Sequence, residues 1–152
     1  MKILQYLHSW EGIKFIVVRI PSIPFRMKRK FYATYNKVKF RLAGVKYGRG
    51  MLVFFNIYLS KARGSKIVIG DSFTFTSGGG LNPLSRNIKG CIHAGNGAEI
   101  IIGNHTGMSS ACLWAKTSIR VGDRVKIGGD CILLDTDCHN LDYRIRGGGE
   151  DL

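Results

Sequence analysis

Residues 101–119 (IIGNHTGMSSACLWAKTSI) repeat in residues 120–138 (RVGDRVKIGGDCILLDTDC) at an offset of 19. Ile102 falls on Val121, Gly103 on Gly122, Asn104 on Asp123, Met108 on Ile127, Ser109 on Gly128, Cys112 on Cys131, Leu113 on Ile132, Trp114 on Leu133 and Thr117 on Thr136. Within each copy runs a finer period of six: Val121, Ile127 and Leu133 are evenly spaced, as are Ile102, Met108 and Trp114. A looser copy begins at Ile67-Val68-Ile69-Gly70-Asp71.

One aliphatic residue every six, followed by a small or turn-forming residue, does not suit a helix. It suits short strands separated by tight corners. Glycine and Asn/Asp adopt the left-handed backbone that a corner needs, which explains the pairs Gly70-Asp71, Gly103-Asn104 and Gly122-Asp123. Three such sides closing on one another predict a coil of a parallel β-helix with its aliphatic residues stacked inside. Each coil buries its apolar face only against its neighbours, so roughly three or more coils are needed. The 20 glycines in 152 residues, about twice the usual share of ~7%, agree with a chain made largely of corners.

After these coils comes the run 135–144 (DTDCHNLDYR), which sets one histidine, His139, among carboxylates. Free imidazole titrates near ~6.5, so a small environmental shift leaves it neutral and able to accept a proton from a hydroxyl. With Asn82-Pro83-Leu84-Ser85-Arg86-Asn87, the segment 102–110 (IGNHTGMSS) and Ile127-Gly128-Gly129-Asp130-Cys131, this run resembles the hexapeptide-repeat acyltransferases. The similarity is to the branch of sugar and polysaccharide O-acetyltransferases that includes the maltose and galactoside enzymes. It covers roughly residues 65–146, and the ordered series of segments is far more specific than any single hexapeptide.

The resemblance implies a left-handed parallel β-helix, assembled as a homotrimer, in which acetyl-CoA and a sugar or glycan acceptor meet in clefts between subunits. It also implies that His139 is the general base for direct transfer of the acetyl group to a sugar hydroxyl. Asp137 and Asp142 are then candidates to orient the imidazole or to bind sugar hydroxyls, and the residues alone do not choose between these roles. Asn82, Ser110 and Trp114 are further candidates for contacting the acceptor. Members of the family continue beyond the histidine with more coils that bind much of the CoA, whereas here the tail is 146–152 (RGGGEDL). The expectation is a β-helix domain, 45–152, that is incomplete at its C-terminus. A non-catalytic remnant or assembly module without a complete CoA site is the alternative.

The formal net charge of +13 is confined to the front of the chain. Residues 1–66 carry 15 Lys/Arg and one acid, Glu11, whereas residues 67–152 carry 8 Lys/Arg and 9 acids. Residues 1–44 read as a basic amphipathic helical segment. In it Ile3, Tyr6, Trp10, Ile13, Val17 and Ile20 recur at three- and four-residue steps until Pro21 and Pro24. A second run, Phe25, Phe31, Tyr35, Val38 and Leu42, stops near Gly44. Lys14 and Arg19 interrupt the first run, so no span approaches the ~20 apolar residues of a transmembrane helix. For the same reason the first run makes a poor signal peptide. The expected location is the cytoplasm. The aromatic faces are expected either to pack on the β-helix or a neighbouring subunit, or to enter an anionic membrane surface as a peripheral contact at its inner face. A nucleic-acid partner is not expected, because no binding motif accompanies the charge.

Other chemistries fit poorly. Asp135-x-Asp137-x-His139 starts like a calcium loop, but Asn140 replaces its glycine and Arg146 its final glutamate. Cys91, Cys112, Cys131 and Cys138 lack paired CxxC spacing, so zinc and disulfides are disfavoured, no metal is expected, and Cys112 and Cys131 read as stacked interior residues. His93 and His105 read as surface or loop residues. Ser109 and Ser110 make no nucleophile elbow. Gly78-Gly79-Gly80 lacks the Lys-Ser/Thr of a phosphate loop and reads as a corner.

Overall fold

Every third strand of this chain returns to the same sheet. The computed structural model describes residues 22–78 and 88–146. It opens with one helix, α1 (Ser22–Leu42), followed by β1 (Lys46–Tyr47), β2 (Leu52–Phe54), β3 (Tyr58–Lys61), β4 (Lys66–Ile69), β5 (Thr74–Thr76) and β6 (Cys91–Ala94). Then come β7 (Glu99–Ile102), β8 (Gly107–Ser109), β9 (Cys112–Ala115), β10 (Ser118–Val121), β11 (Lys126–Ile127) and β12 (Ile132–Leu134). These form three four-stranded sheets, in the orders β1-β4-β7-β10, β11-β8-β5-β2 and β12-β9-β6-β3. All nine pairings are parallel. Four successive coils, each giving one strand to each sheet, make the parallel β-helix that the six-residue period predicts.

Side chains alternate along each strand, so the inward positions stack coil upon coil. Ile67, Ile100 and Ile119 form one buried file, Ile69, Ile102 and Val121 a second, and Phe75 sits on Met108 in the next sheet. Burying an Ile or Phe side chain contributes about 1.5–3 kcal/mol. These files are therefore the main source of stability.

The corners after β1, β4, β7 and β10 carry a second ladder. The Asp71 carboxylate accepts the Arg49 N–H (2.7 Å), the Asn104 side-chain oxygen accepts the Asp71 N–H (2.9 Å), and the Asp123 carboxylate accepts the Asn104 N–H (2.6 Å). The next residue at each corner, Gly50, Ser72, His105 or Arg124, has a left-handed backbone. This close stacking forces glycine at positions 48, 70 and 103, where the next coil lies against the corner. A Cβ on Gly103 would lie 2.4 Å from the Asp123 carboxylate and 2.6 Å from its backbone nitrogen.

The 19-residue register holds for two sheets and fails in the third. Ser118 pairs with Glu99 and Ile127 with Met108, but Leu133 pairs with Leu113 rather than Trp114. From Ile127 to Leu133 the chain needs one residue more than from Met108 to Leu113, taken up at Asp130, whose φ is 62°. One expectation is corrected in this sheet. Cys112 is not an interior residue stacked on Cys131: it is half-buried on the outer face and registers with Cys91, while Cys131 is exposed. Trp114 likewise faces outward, and Leu113 and Ala115 hold the core positions on either side of it.

α1 lies across the first coil. Asn36, fully buried, donates from its side-chain nitrogen to the carbonyls of Val53 (2.9 Å) and Phe55 (2.8 Å), which face the open edge of β2. Phe40 is buried beside it, and Phe25 meets Phe55 with ring centroids 5.3 Å apart. Pro24 does not end this helix but sits in its first turn, where its missing N–H costs nothing. The helix stops at Gly44, whose φ of 69° lets the chain turn left-handed while Val45 N–H returns to the Phe40 carbonyl (3.0 Å). The apolar run foreseen for this helix is turned the other way from its packed face: Phe31, Tyr35, Val38 and Leu42 are exposed. The first foreseen helix, with Trp10, falls outside the described residues. Among the described residues, no helix is long and apolar enough to cross a membrane.

Candidate active site

Three outward-facing elements converge below the third sheet. β6 presents His93, β9 presents Trp114 directly above it in register, and the segment after β12 carries Thr136 and Cys138 to the same side. Together with Asn96, Lys116 and Thr117 they line a cleft of about 540 Å³. Drug-sized ligands occupy pockets of roughly 300–1,000 Å³, so the cleft has room for a sugar ring.

Its floor is a stacked pair. The His93 imidazole lies against the Trp114 indole with centroids 3.9 Å apart and planes inclined by 26°. His93 Nδ1 is buried and has no hydrogen-bond partner among the described residues. Burial lowers the pKa of this imidazole below its ordinary value, so it is neutral at physiological pH.

The segment that bears His139 is pinned by Asp135. Its carboxylate accepts the backbone N–H groups of Lys116 (2.6 Å), Thr117 (2.7 Å) and Ser118 (2.5 Å), closing the corner between β9 and β10. Burial alone would raise its pKa, but these three donors together with its own backbone N–H outweigh that and hold the carboxyl below the usual range. From this anchor the chain turns through Cys138, whose φ is 61° and whose N–H meets the Thr136 hydroxyl at 3.1 Å. His139 follows at once and is exposed beside the cleft-lining Cys138.

The carboxylates proposed as partners of His139 are arranged differently from one another. Asp142 is engaged by Arg144 in a two-pronged pair, Nε to Oδ1 at 2.9 Å and a terminal nitrogen to Oδ2 at 2.7 Å, and this pair holds its carboxyl below the usual range. Asp137 is exposed. Among the described residues, neither is hydrogen-bonded to His139. Ser110 is buried at a left-handed corner, where its hydroxyl accepts the Gly78 N–H at 2.9 Å and ties two coils together. Asn82 lies outside the described residues. Trp114 lines the cleft, and His139 follows the cleft-lining Cys138 in the chain.

Sequence reasoning missed His93, which is no mere surface residue, and Asp135 as an anchor. His93 pairs with Trp114 at a step of 21 residues and not the 19 of the repeat, so only the exact register reveals the stack. His105 is an exposed corner residue, as expected. Comparison with protein-family models, curated proteins and solved structures gives no match for this chain. What fold and site define is a parallel β-helix protein with a histidine-bearing loop fastened beside an aromatic cleft.

Proposed function

We propose that this chain is an acetyl-CoA-dependent O-acetyltransferase acting on a hydroxyl of a sugar or surface-polysaccharide precursor, with His139 as general base. The observation that carries the reading is the Asp135 anchor, which fastens the DTDCHNLDYR run next to a cleft floored by Trp114. The apolar surface of Trp114 that lines the cleft suits the C–H groups of a pyranose, while the Thr117 and Thr136 side chains and Asn96 at the rim offer partners for its hydroxyls.

In this reading His139 removes the proton from the acceptor hydroxyl as its oxygen attacks the thioester carbonyl. The carbon–sulfur bond of the resulting tetrahedral adduct breaks, and His139 returns the proton to the departing thiolate. No covalent enzyme intermediate forms. General base catalysis of this kind contributes about 10²–10⁴-fold. The winding of the helix is left-handed and the working unit a homotrimer, as the resemblance implies, with the donor bound between subunits. The location is cytoplasmic, at the inner face of the membrane.

A second reading, a non-catalytic assembly module, is favoured by one observation: His139 has no carboxylate partner among the described residues. The deciding experiment is release of free CoA thiol from acetyl-CoA across a panel of monosaccharide acceptors. Under the catalytic reading, turnover is present and His139→Ala lowers it at least ~100-fold. Turnover that survives His139→Ala unchanged, or an inert wild type, favours the assembly module.

A further inference from the structure

α1 has two faces, and the more hydrophobic sequence stripe is the one turned away from the protein. At 100° per residue, Met27, Phe31, Tyr35, Val38 and Leu42 fall on one side of the helix, opposite the buried Asn36. Their exposures run from 44% at Tyr35 to 84% at Leu42. Five large apolar side chains in one exposed line form a patch that a water-facing helix does not keep without a use.

The charge along this stripe identifies its occupant. α1 contains seven Lys/Arg and no acid. Arg29 is folded back over the Phe54 ring, 4.8 Å from its centroid, and Lys39 donates to the Ile57 carbonyl, so these two serve the β-helix. Lys30, Lys37 and Arg41 border one side of the stripe and Lys28 the other, all exposed. An apolar line flanked by outward cations matches the boundary of an anionic bilayer, where rings and aliphatic chains enter the acyl region and the basic heads meet lipid phosphates. A second copy of the same helix would set cations against cations.

We propose that α1 is a membrane-surface helix, which seats the first coil of the β-helix on an anionic lipid bilayer through Met27, Phe31, Tyr35, Val38 and Leu42. This inference is independent of the catalytic reading, because it rests on the helix at the opposite end of the coils from His139.

The test is co-sedimentation of the full chain with phosphatidylcholine vesicles, with and without about one-third phosphatidylglycerol, at low salt and at about 0.5 M salt. The expected result is pelleting with the anionic vesicles, at least ~10-fold weaker with neutral vesicles or in high salt. The double variant Phe31→Ser/Val38→Ser and the triple variant Lys30→Gln/Lys37→Gln/Arg41→Gln each reduce it by a similar factor. Both sets alter exposed side chains only, and circular dichroism verifies that the β-helix is retained. Absence of pelleting, or binding that both variants leave unchanged, overturns the proposal. So does a shift of the wild type to a smaller oligomer in Phe31→Ser/Val38→Ser with no effect on lipid binding, since the stripe would then serve a second copy of the chain.

Discussion

The imidazole of His93 and the indole of Trp114 are stacked 3.9 Å apart on neighbouring coils, with the imidazole kept neutral by burial. Because its folded pKa is depressed, the stability it supports is complete above the unfolded value of ~6.5 and is lost as pH falls below it, where the unfolded chain gains a proton that the folded chain refuses. His93→Phe keeps a ring on Trp114 and removes the titration. We expect its melting temperature to fall less between pH 7.5 and 5.5 than that of the wild type, in thermal denaturation followed by circular dichroism.

Trp114→Ala removes the floor of the cleft from an outward position and leaves Leu113 and Ala115 in the core. The expected effect is on acceptor binding, with KM for the sugar rising about tenfold, the loss of roughly 1.4 kcal/mol, while KM for acetyl-CoA changes little. Steady-state kinetics with each substrate varied in turn checks this.

Asp135→Asn retains the shape of the anchor but replaces one of its two accepting oxygens with an NH2 group that cannot accept, and the oxygen that remains is a weaker, uncharged acceptor. Charge-assisted bonds of this type are about twice as strong as neutral ones. Amide exchange at Lys116, Thr117 and Ser118 should therefore accelerate in the variant while exchange at Ile100 and Ile102 is unchanged. In the wild type, the depressed Asp135 pKa means that the same protection persists above the unfolded value of ~3.9 and is lost as the pH falls through the folded value.

Two glycines at equivalent corners should respond oppositely to a methyl group. Gly103→Ala drives a Cβ to 2.4 Å from the Asp123 carboxylate and 2.6 Å from Asp123 N, whereas a Cβ on Gly122 meets nothing within 4 Å. Overpacking costs about 1–3 kcal/mol, and contact with backbone argues for the upper end. Gly122→Ala should be within about 0.5 kcal/mol of the wild type. Urea denaturation of the two variants measures both.

Cys91 should resist alkylation. Its thiol is pushed up to about 12, first by burial and then by the neighbouring Cys112, and the thiolate is the nucleophile. Brief iodoacetamide treatment near pH 8 followed by peptide mass mapping should label the exposed Cys131 and Cys138 well before Cys91.

The coils were legible because their signal is local. Gly103-Asn104 and Gly122-Asp123 announce corners by residue type, and the aliphatic residues six apart announce the sides between them. The Gly48 corner went unread because Arg49 stands where later coils have Asp71, Asn104 and Asp123, and its partner comes from the next coil. Register in the third sheet was not legible either. One extra residue at Asp130 displaces Leu133 from Trp114 onto Leu113, and a step of 21 residues, longer than the 19-residue repeat, brings His93 onto Trp114. The outward direction of Phe31, Tyr35, Val38 and Leu42 was hidden for a different reason. Periodicity identifies an apolar line but not which neighbour it meets, and here the buried Asn36 and Phe40 define the packed side instead.

The corner ladder has a direction. Arg49 N–H is met by Asp71, Asp71 N–H by Asn104, Asn104 N–H by Asp123, and the Lys116, Thr117 and Ser118 donors by Asp135, in every case a side chain from the following coil. A ribosome delivers each donor before its acceptor, so each corner emerges with its donor open to water and closes only when the chain has grown another 17 to 33 residues. The nascent β-helix thus always carries one unfinished rung at its growing edge, and synthesis itself sets the order in which the rungs are sealed.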